Sequence, residues 1–394
     1  MTTRLGDMSE HLAGPAVGAL QGVVVADFTR VLAGPYATML LADMGADVVK
    51  VERPPAGDDT RSWGPPFSED GQATYFQSVN RNKRSIALEL DDPADLAVAH
   101  KLVAKADVLV HNHRHGGMEK WGLGYEQLAP DHPGLVYAAI SGFGSGAGAD
   151  LPGYDLLAQA TGGLMSLTGP PGDPTKVGVA IVDVVTGLHA AVGILAALRW
   201  RDLTGQGQLV EVDLLTSLLS ALVNHSSAFV SGGVIPTSTG NAHASIAPYE
   251  PLPTADGPIV VAVGNDRQFR RFTDAIGAPE LADDPRFLTN PARVQHREEL
   301  VAALSPCLQG HTADYWQREL TAVGVPCGTI NDVGAAFGLA EELGLDPIAP
   351  IGNTRTTRNP IHLQATPASY RTASPSVGQD DQGVRAWLAD GGSE

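Results

Sequence analysis

The stretch Val23-Val-Val-Ala-Asp27-Phe-Thr-Arg-Val-Leu-Ala33-Gly-Pro-Tyr-Ala-Thr-Met-Leu-Leu-Ala-Asp-Met44-Gly-Ala-Asp47-Val-Val-Lys-Val51 decides the fold. Residues 23–27 and 47–51 are short β-branched runs, and the apolar segment 33–44 between them has helical length, so the order predicted is strand, helix, strand. Working outward, 85–90, 108–111 and 135–140 read as further strands and 93–104 as a helix. Strands alternating with helices predict a parallel α/β layer. The layer lacks a dinucleotide fingerprint: Gly142-Phe-Gly-Ser-Gly-Ala-Gly148 follows a late strand but leads into Asp150-Leu-Pro152, not into a helix.

A Ser/Gly/Thr-rich segment, 226–240, marks a linker between a large α/β domain over 21–225 and a smaller α/β domain over 241–332. In the latter, 258–263 and 327–330 read as strands and 267–276, 297–308 and 313–323 as helices. Residues 1–20 read as a flexible N-terminus. The end of the chain, 374–394, reads as a surface tail with a short helix near 384–388.

The 394 residues include 44 acidic and 26 basic side chains, a net charge of −18 that disfavours nucleic acid and anionic membranes as partners. Apolar runs are interrupted short of the roughly 20 residues a membrane span requires. Residues 1–10 lack a signal-peptide pattern. The two cysteines, Cys307 and Cys327, are too few for a disulfide framework. Together these features predict a cytoplasmic enzyme.

Chemistry concentrates in Lys176-Val-Gly-Val-Ala-Ile-Val-Asp183-Val-Val-Thr-Gly187-Leu-His-Ala-Ala-Val-Gly-Ile-Leu-Ala-Ala-Leu198. One carboxylate ends an apolar run where a long apolar helix, 186–200, begins. Local sequence is also satisfied by an ordinary N-cap aspartate at Asp183. A buried reactive carboxylate requires donors or a ligand to remain ionised. His111, His113 and His115 fall on one face of an extended strand, a zinc-compatible spacing. Arg114 among them would repel a cation, and no Cys or Glu completes a shell, so no metal is expected.

The remaining landmarks, in order, are Asn80-Arg-Asn-Lys-Arg-Ser85, Ala106-Asp-Val-Leu-Val-His-Asn112, Gly153-Tyr-Asp-Leu-Leu-Ala-Gln-Ala-Thr-Gly-Gly163, Thr204-Gly-Gln-Gly-Gln208, Gly240-Asn-Ala-His243 and Gly324-Val-Pro-Cys-Gly328. With Asp27 to Pro35, Leu41 to Arg53 and the Asp183 segment, the set resembles the family III CoA-transferases, the group containing formyl-CoA transferase, carnitine CoA-transferase and the α-methylacyl-CoA racemases. The resemblance runs from about Gly22 to Pro347. It implies a large Rossmann-like parallel-sheet domain that binds CoA, a smaller α/β domain, a return of the chain to the large domain over 333–394, and an interlocked homodimer. Acyl-CoA and carboxylic acids are the implied small-molecule partners, with no tightly bound cofactor.

In such an enzyme Asp183 would attack the thioester, form a mixed anhydride and then an aspartyl-CoA thioester. With an ordinary pKa of about 3.9 it would be ionised at neutral pH without a base. Matching motifs assign CoA binding to Val31, Leu32, Arg53, Lys83, Arg84, Leu88, Asn112, His113 and Lys120, the cations meeting phosphates and Val31, Leu32 and Leu88 lining an adenine slot. Gly240 and Asn241 stand where the family has its glycine lid, in a shorter version. Tyr154 stands where the racemases have a catalytic histidine, and a phenol with a pKa of about 10 is a poor base at neutral pH. The sequence therefore favours transferase over α-methylacyl-CoA racemase. A non-catalytic CoA-binding protein is the third reading, and it predicts loss of the aspartate. Leu32 replaces the glutamine that formyl-CoA transferase holds near its acyl group, which turns the reading away from formate and oxalate. Ser245-Ile-Ala-Pro-Tyr249 faintly resembles the branch that handles dicarboxylic acids.

Overall fold

The structure, a computed structural model, describes residues 18–390. The N-terminal reading over 1–20 falls almost wholly outside them. The chain divides into two compact units. The first comprises the chain up to Gly162, Val177–Gly233 and Asp346 onward, and the second Gly163–Lys176 and Val234–Leu345. The sequence boundaries thus shift: residues 163–176 join the second unit, and the chain re-enters the first at Asp346, later than 333.

In the first unit the elements run β1 (Val24–Phe28), α1 (Ala33–Asp43), β2 (Asp47–Glu52), α2 (Thr74–Gln77), β3 (Lys83–Ala87), α3 (Pro93–Lys105) and β4 (Val108–His111). Then follow α4 (Tyr125–Leu128), β5 (Val136–Ser141), α5 (Asp155–Thr161), α6 (Ile181–Thr204), β6 (Leu209–Asp213), α7 (Leu214–Ala221) and α8 (Asn224–Gly232). The six strands form one all-parallel sheet in the order β3-β2-β1-β4-β5-β6.

Successive strand residues face opposite sides, and two cores follow. Val25, Val48, Val108 and Val136 pack with Ala37, Leu40 and Leu41 of α1 and Ala190, Ile194 and Ala197 of α6. Ala26, Val49, Leu109 and Tyr137 pack on the other face with Ala99, Leu102 and Val103 of α3. Val384, Trp387 and Leu388 belong to this second core, so the expected surface tail is instead a covering helix.

The reading of β3 as 85–90 is displaced because Lys83 and Arg84, which look like surface charges, are strand residues paired with Asp27 and Asp47. The strand β6 was not anticipated. Helix α6 has the length and apolarity to cross a membrane, contrary to the reading of interrupted runs. One of its faces is packed on the sheet and α1, as for a core helix.

The second unit has β7 (Tyr249–Pro253), β8 (Pro258–Ala262), α9 (Asp266–Ala275), α10 (Asn290–Gln295), α11 (Arg297–Leu308), α12 (Ala313–Ala322), β9 (Cys327–Thr329) and α13 (Val333–Glu342). Its sheet is antiparallel, β7-β8-β9, and Phe269, Phe272, Leu300, Leu304, Trp316 and Leu320 fill the core beneath it. After it the first unit gains β10 (Ile348–Ile351), β11 (Thr354–Thr357) and α14 (Asp381–Ala389), the helix that carries Val384 and Trp387.

Candidate active site

In an open parallel sheet, ligands bind beyond the carboxyl ends of the strands, where the strand order reverses. Here the reversal falls between β1 and β4. A cleft of about 480 Å³ opens at these ends, lined by Arg30, Val31 and Leu32 after β1, Asn112 and His113 after β4, Ser141 of β5, Asp213 of β6, and Tyr154 and Asp183. An adjoining cavity of about 370 Å³ is lined by Arg53, Leu88, Lys120 and Trp121. Arg30, Asp59 and His113 line both.

The segment after β1 is pinned from three sides. Lys50 Nζ, fully buried, donates to the Thr29 carbonyl at 2.8 Å and to Asp58 at 2.9 Å. Asn112 accepts from the Arg30 N–H at 3.0 Å and donates to the Arg30 carbonyl at 2.7 Å. The Asp58 carboxylate accepts from the Val31 N–H at 3.2 Å. Val31 thereby holds φ +69°, a strained conformation for a β-branched residue and of the kind found at functional sites.

Asp183 occupies the first turn of α6 and is half-buried. The N-cap is Ala180, which contributes no side chain, so the N-cap reading of Asp183 is replaced. The cap comes from Asp155, whose Oδ1 accepts from the N–H groups of Val182 at 2.8 Å and Asp183 at 3.3 Å. Gly142 and Gly153 deliver Asp155 by crossing so closely that a Cβ on Gly142 would lie 2.5 Å from the Gly153 Cα. Burial, then the Asp155 charge, push the Asp183 carboxyl up to about 7. The expectation of an ordinary, fully ionised carboxylate is thus corrected: desolvation prevails, and the neighbouring Asp155 charge adds to it.

The anticipated residues separate into two groups. Val31, Leu32, Asn112, His113, Tyr154 and Asp183 meet in the first cleft, and Arg53, Leu88, His113 and Lys120 in the second. Asn112 spends its amide on the Arg30 backbone. Burial, with Arg30 and Lys120 nearby, pushes His113 down to about 4, so its ring is neutral and stands edge-on to Trp121 at 5.4 Å. Lys120 lies over the Trp121 ring and pairs with Asp91 at 3.3 Å.

Two residues leave the set. Lys83 is fully buried, with Nζ donating to Asp27, the Pro35 carbonyl and Asn80, and burial lowers its ammonium to about 8. Arg84 pairs with Asp47 at 2.9 Å and lines neither cavity. Neither is placed to meet a phosphate. Gly240 and Asn241 lie in the second unit, where Gly240 takes φ +62° and donates to the Ser238 hydroxyl.

Sequence reasoning missed Asp155 and Tyr75. Asp155 was visible only as the third letter of Gly153-Tyr-Asp. Tyr75 packs beside Val31, Leu32 and Val184, and burial followed by the Asp183 charge pushes its phenol up. Trp63 stands edge-on to it at 5.4 Å. Tyr75 and Trp63 thus form an aromatic pair on the side of the desolvated carboxylate that Tyr75 senses.

The model for CoA-transferase family III matches residues 20–381. A succinate–glutarate CoA-transferase of Agrobacterium fabrum is 42% identical, covering 94% of this chain and 95% of its own. An acetyl-CoA:oxalate CoA-transferase of Acetobacter aceti is 38% identical, covering 96% and 97%. A CAIB/BAIF family crystal structure from Brucella suis superposes with a TM-score of 0.85 at 39% identity, covering 94% of this chain and 100% of that one. A sheet whose carboxyl ends surround a desolvated aspartate, matched over nearly its whole length by that family model, belongs to CoA-transferase family III.

Proposed function

We propose that the chain moves CoA from an acyl-CoA donor to a dicarboxylic acid acceptor by covalent catalysis at Asp183. The observation that carries the reading is the desolvated Asp183 carboxylate, fixed through its own backbone N–H in the larger cleft that Tyr154 also lines. The substrate class is supported by relatives named for succinate and glutarate; oxalate, named for the Acetobacter relative, is the acid against which Leu32 argues.

An Asp183 oxygen attacks the thioester carbonyl, the C–S bond breaks, and CoA leaves as thiolate, giving an aspartyl–acyl anhydride. The thiolate attacks the aspartyl carbonyl, expelling the donor acid and leaving an aspartyl-CoA thioester. The acceptor carboxylate attacks that aspartyl thioester, the C–S bond breaks and CoA thiolate leaves, giving an aspartyl–acceptor anhydride; the thiolate then attacks the acceptor carbonyl, forming the new acyl-CoA and releasing the Asp183 carboxylate. Thioester energy is conserved without ATP, provided water is excluded from the anhydride. Arg53 and Lys120 meet the CoA phosphates, while Val31 and Leu32 flank the chain leading to Asp183. The working form is a homodimer, supported by Leu156, Leu157, Leu188, Val192 and Leu219, exposed on the mutually packed α5, α6 and α7.

The test is to incubate the protein with succinyl-CoA alone, then treat it with hydroxylamine or borohydride. The peptide containing Asp183 is expected to carry a hydroxamate or an alcohol, and the same peptide from enzyme without acyl-CoA to be unmodified. An unlabelled Asp183 in both samples dismisses the covalent mechanism. With glutarate present, a new glutaryl-CoA mass is expected.

A further inference from the structure

We propose that Asp155 is a positioning residue that fixes the nucleophile and favours its acylated form. The proposal rests on reading Asp183 as that nucleophile.

The geometry is specific. Helix α6 starts at Ile181 without a capping side chain of its own, yet its amides need acceptors. Asp155 supplies one from the first turn of α5, with one oxygen on the N–H groups of Val182 and Asp183. Its second oxygen accepts from Gln159 Nε2 at 2.6 Å. Gln159 is itself buried, and its carbonyl oxygen accepts from the Val177 N–H at 2.8 Å. Both Asp155 oxygens are thus committed, and the rotamer is locked by a side chain tied to the segment that enters α6. A nucleophile held through its backbone keeps its own carboxylate oxygens clear for attack.

The same arrangement places a second carboxylate beside the first. Titratable groups that act on or sense Asp183 are Asp155 from α5 and Tyr75 from α2, while Arg30, Asp59, Arg114, Tyr154 and, from β6, Glu211 and Asp213 line the same cleft. Like charges repel, and the Asp155 charge adds to burial in raising the proton affinity of Asp183. Acylation turns Asp183 into a neutral anhydride or thioester, which removes the repulsion. Asp155 therefore destabilises the free carboxylate relative to the acyl-enzyme while holding it in place.

Asp155→Asn and Asp155→Ala separate the two effects. The asparagine keeps an acceptor for the two amides and removes the charge, at the cost of the hydrogen bond from Gln159. Its expected signature is an acid limb of kcat/KM about one pH unit lower, a fall of about tenfold in acyl-enzyme detected by intact mass with succinyl-CoA, and a KM within about twofold of wild type. The alanine lacks the acceptor, and its kcat is expected to fall at least about tenfold at every pH. An unshifted acid limb in Asp155→Asn overturns the proposal, including where Asp155→Ala does not fold. If wild-type Asp183 never yields a hydroxamate, the nucleophile reading fails. If it does and Asp155→Asn matches wild type, only the role of Asp155 fails.

Discussion

A carboxylate gains reactivity when water is withdrawn and no cation takes its place, and Asp183 shows what that does to stability. Burial raises its folded-state pKa from the ordinary 3.8 to about 7. Below about pH 4 it is protonated in both folded and unfolded chains; between about pH 4 and 7 the unfolded chain ionises while the folded one holds its proton, so stability falls across that window and levels off above about 7, where both are ionised. Asp183→Asn, silent in acyl transfer, is therefore expected to match wild-type stability near pH 4 and exceed it above pH 8 by ~2–4 kcal/mol. Denaturant titration across that range checks the sign, and equal stability at pH 8 contradicts a desolvated carboxylate. Activity has the opposite dependence: kcat/KM should rise through about pH 7 as Asp183 ionises. Tyr154 carries a separate expectation at this scale. Its exposed phenol stands in the cleft where the racemase branch has histidine. A 2-methylacyl-CoA incubated with the protein in heavy water should gain no α-deuterium; uptake at a rate comparable with transfer would restore the racemase.

At the scale of elements, the contact of α6 with α1 sets where Asp183 sits. Gly187, one turn beyond Asp183, lies so close to α1 that an added Cβ would be 2.6 Å from the Ala33 carbonyl oxygen. Gly187→Ala gains helix propensity of about 1 kcal/mol but forces the helices apart, and overpacking costs ~1–3 kcal/mol. The expected result is a lowered melting temperature together with a kcat loss larger than the KM change, because the nucleophile shifts. A melting temperature at or above wild type with full kcat would show that the helices yield freely. The strand–helix–strand start was legible because β-branched runs bracket an apolar helix. The strand β6 was not, because Leu209-Val-Glu-Val-Asp213 is short and interrupted by acids. Helix α14 read as a tail because its partners on the sheet lie far away in sequence. Lys83 and Arg84 misled for a related reason: sequence reports a charge, while only the fold reports the carboxylate opposite it.

For the whole molecule, the net charge of −18 is interrupted locally where Arg30, Arg53 and Lys120 line adjoining cavities, Arg30 pairing with Asp59 and Lys120 with Asp91. Asp183 was legible as a candidate from the company its motif keeps. Its anchor, Asp155, was not, because a cap supplied from another helix leaves no mark beside the residue it caps. Val192 on α6 is 64% exposed, with Leu188 on the same helix and Leu156 and Leu157 on the adjacent α5 also in solvent. Large exposed apolar side chains on helices that pack together are the kind of surface an interaction covers. In a monomer, Val192→Glu would change an exposed helix position and alter stability by no more than about 0.5 kcal/mol. In a dimer that covers this face, it would bury a carboxylate with no partner, at a cost of several kcal/mol. Sedimentation of the wild-type protein at micromolar concentration is expected to give twice the 41.0 kDa chain mass. Val192→Glu should shift that boundary toward 41.0 kDa while retaining the wild-type circular dichroism spectrum. A wild-type monomer removes the dimer from the proposed working form. A Val192→Glu protein that remains dimeric assigns the contact to another face and leaves these helices exposed for a different reason.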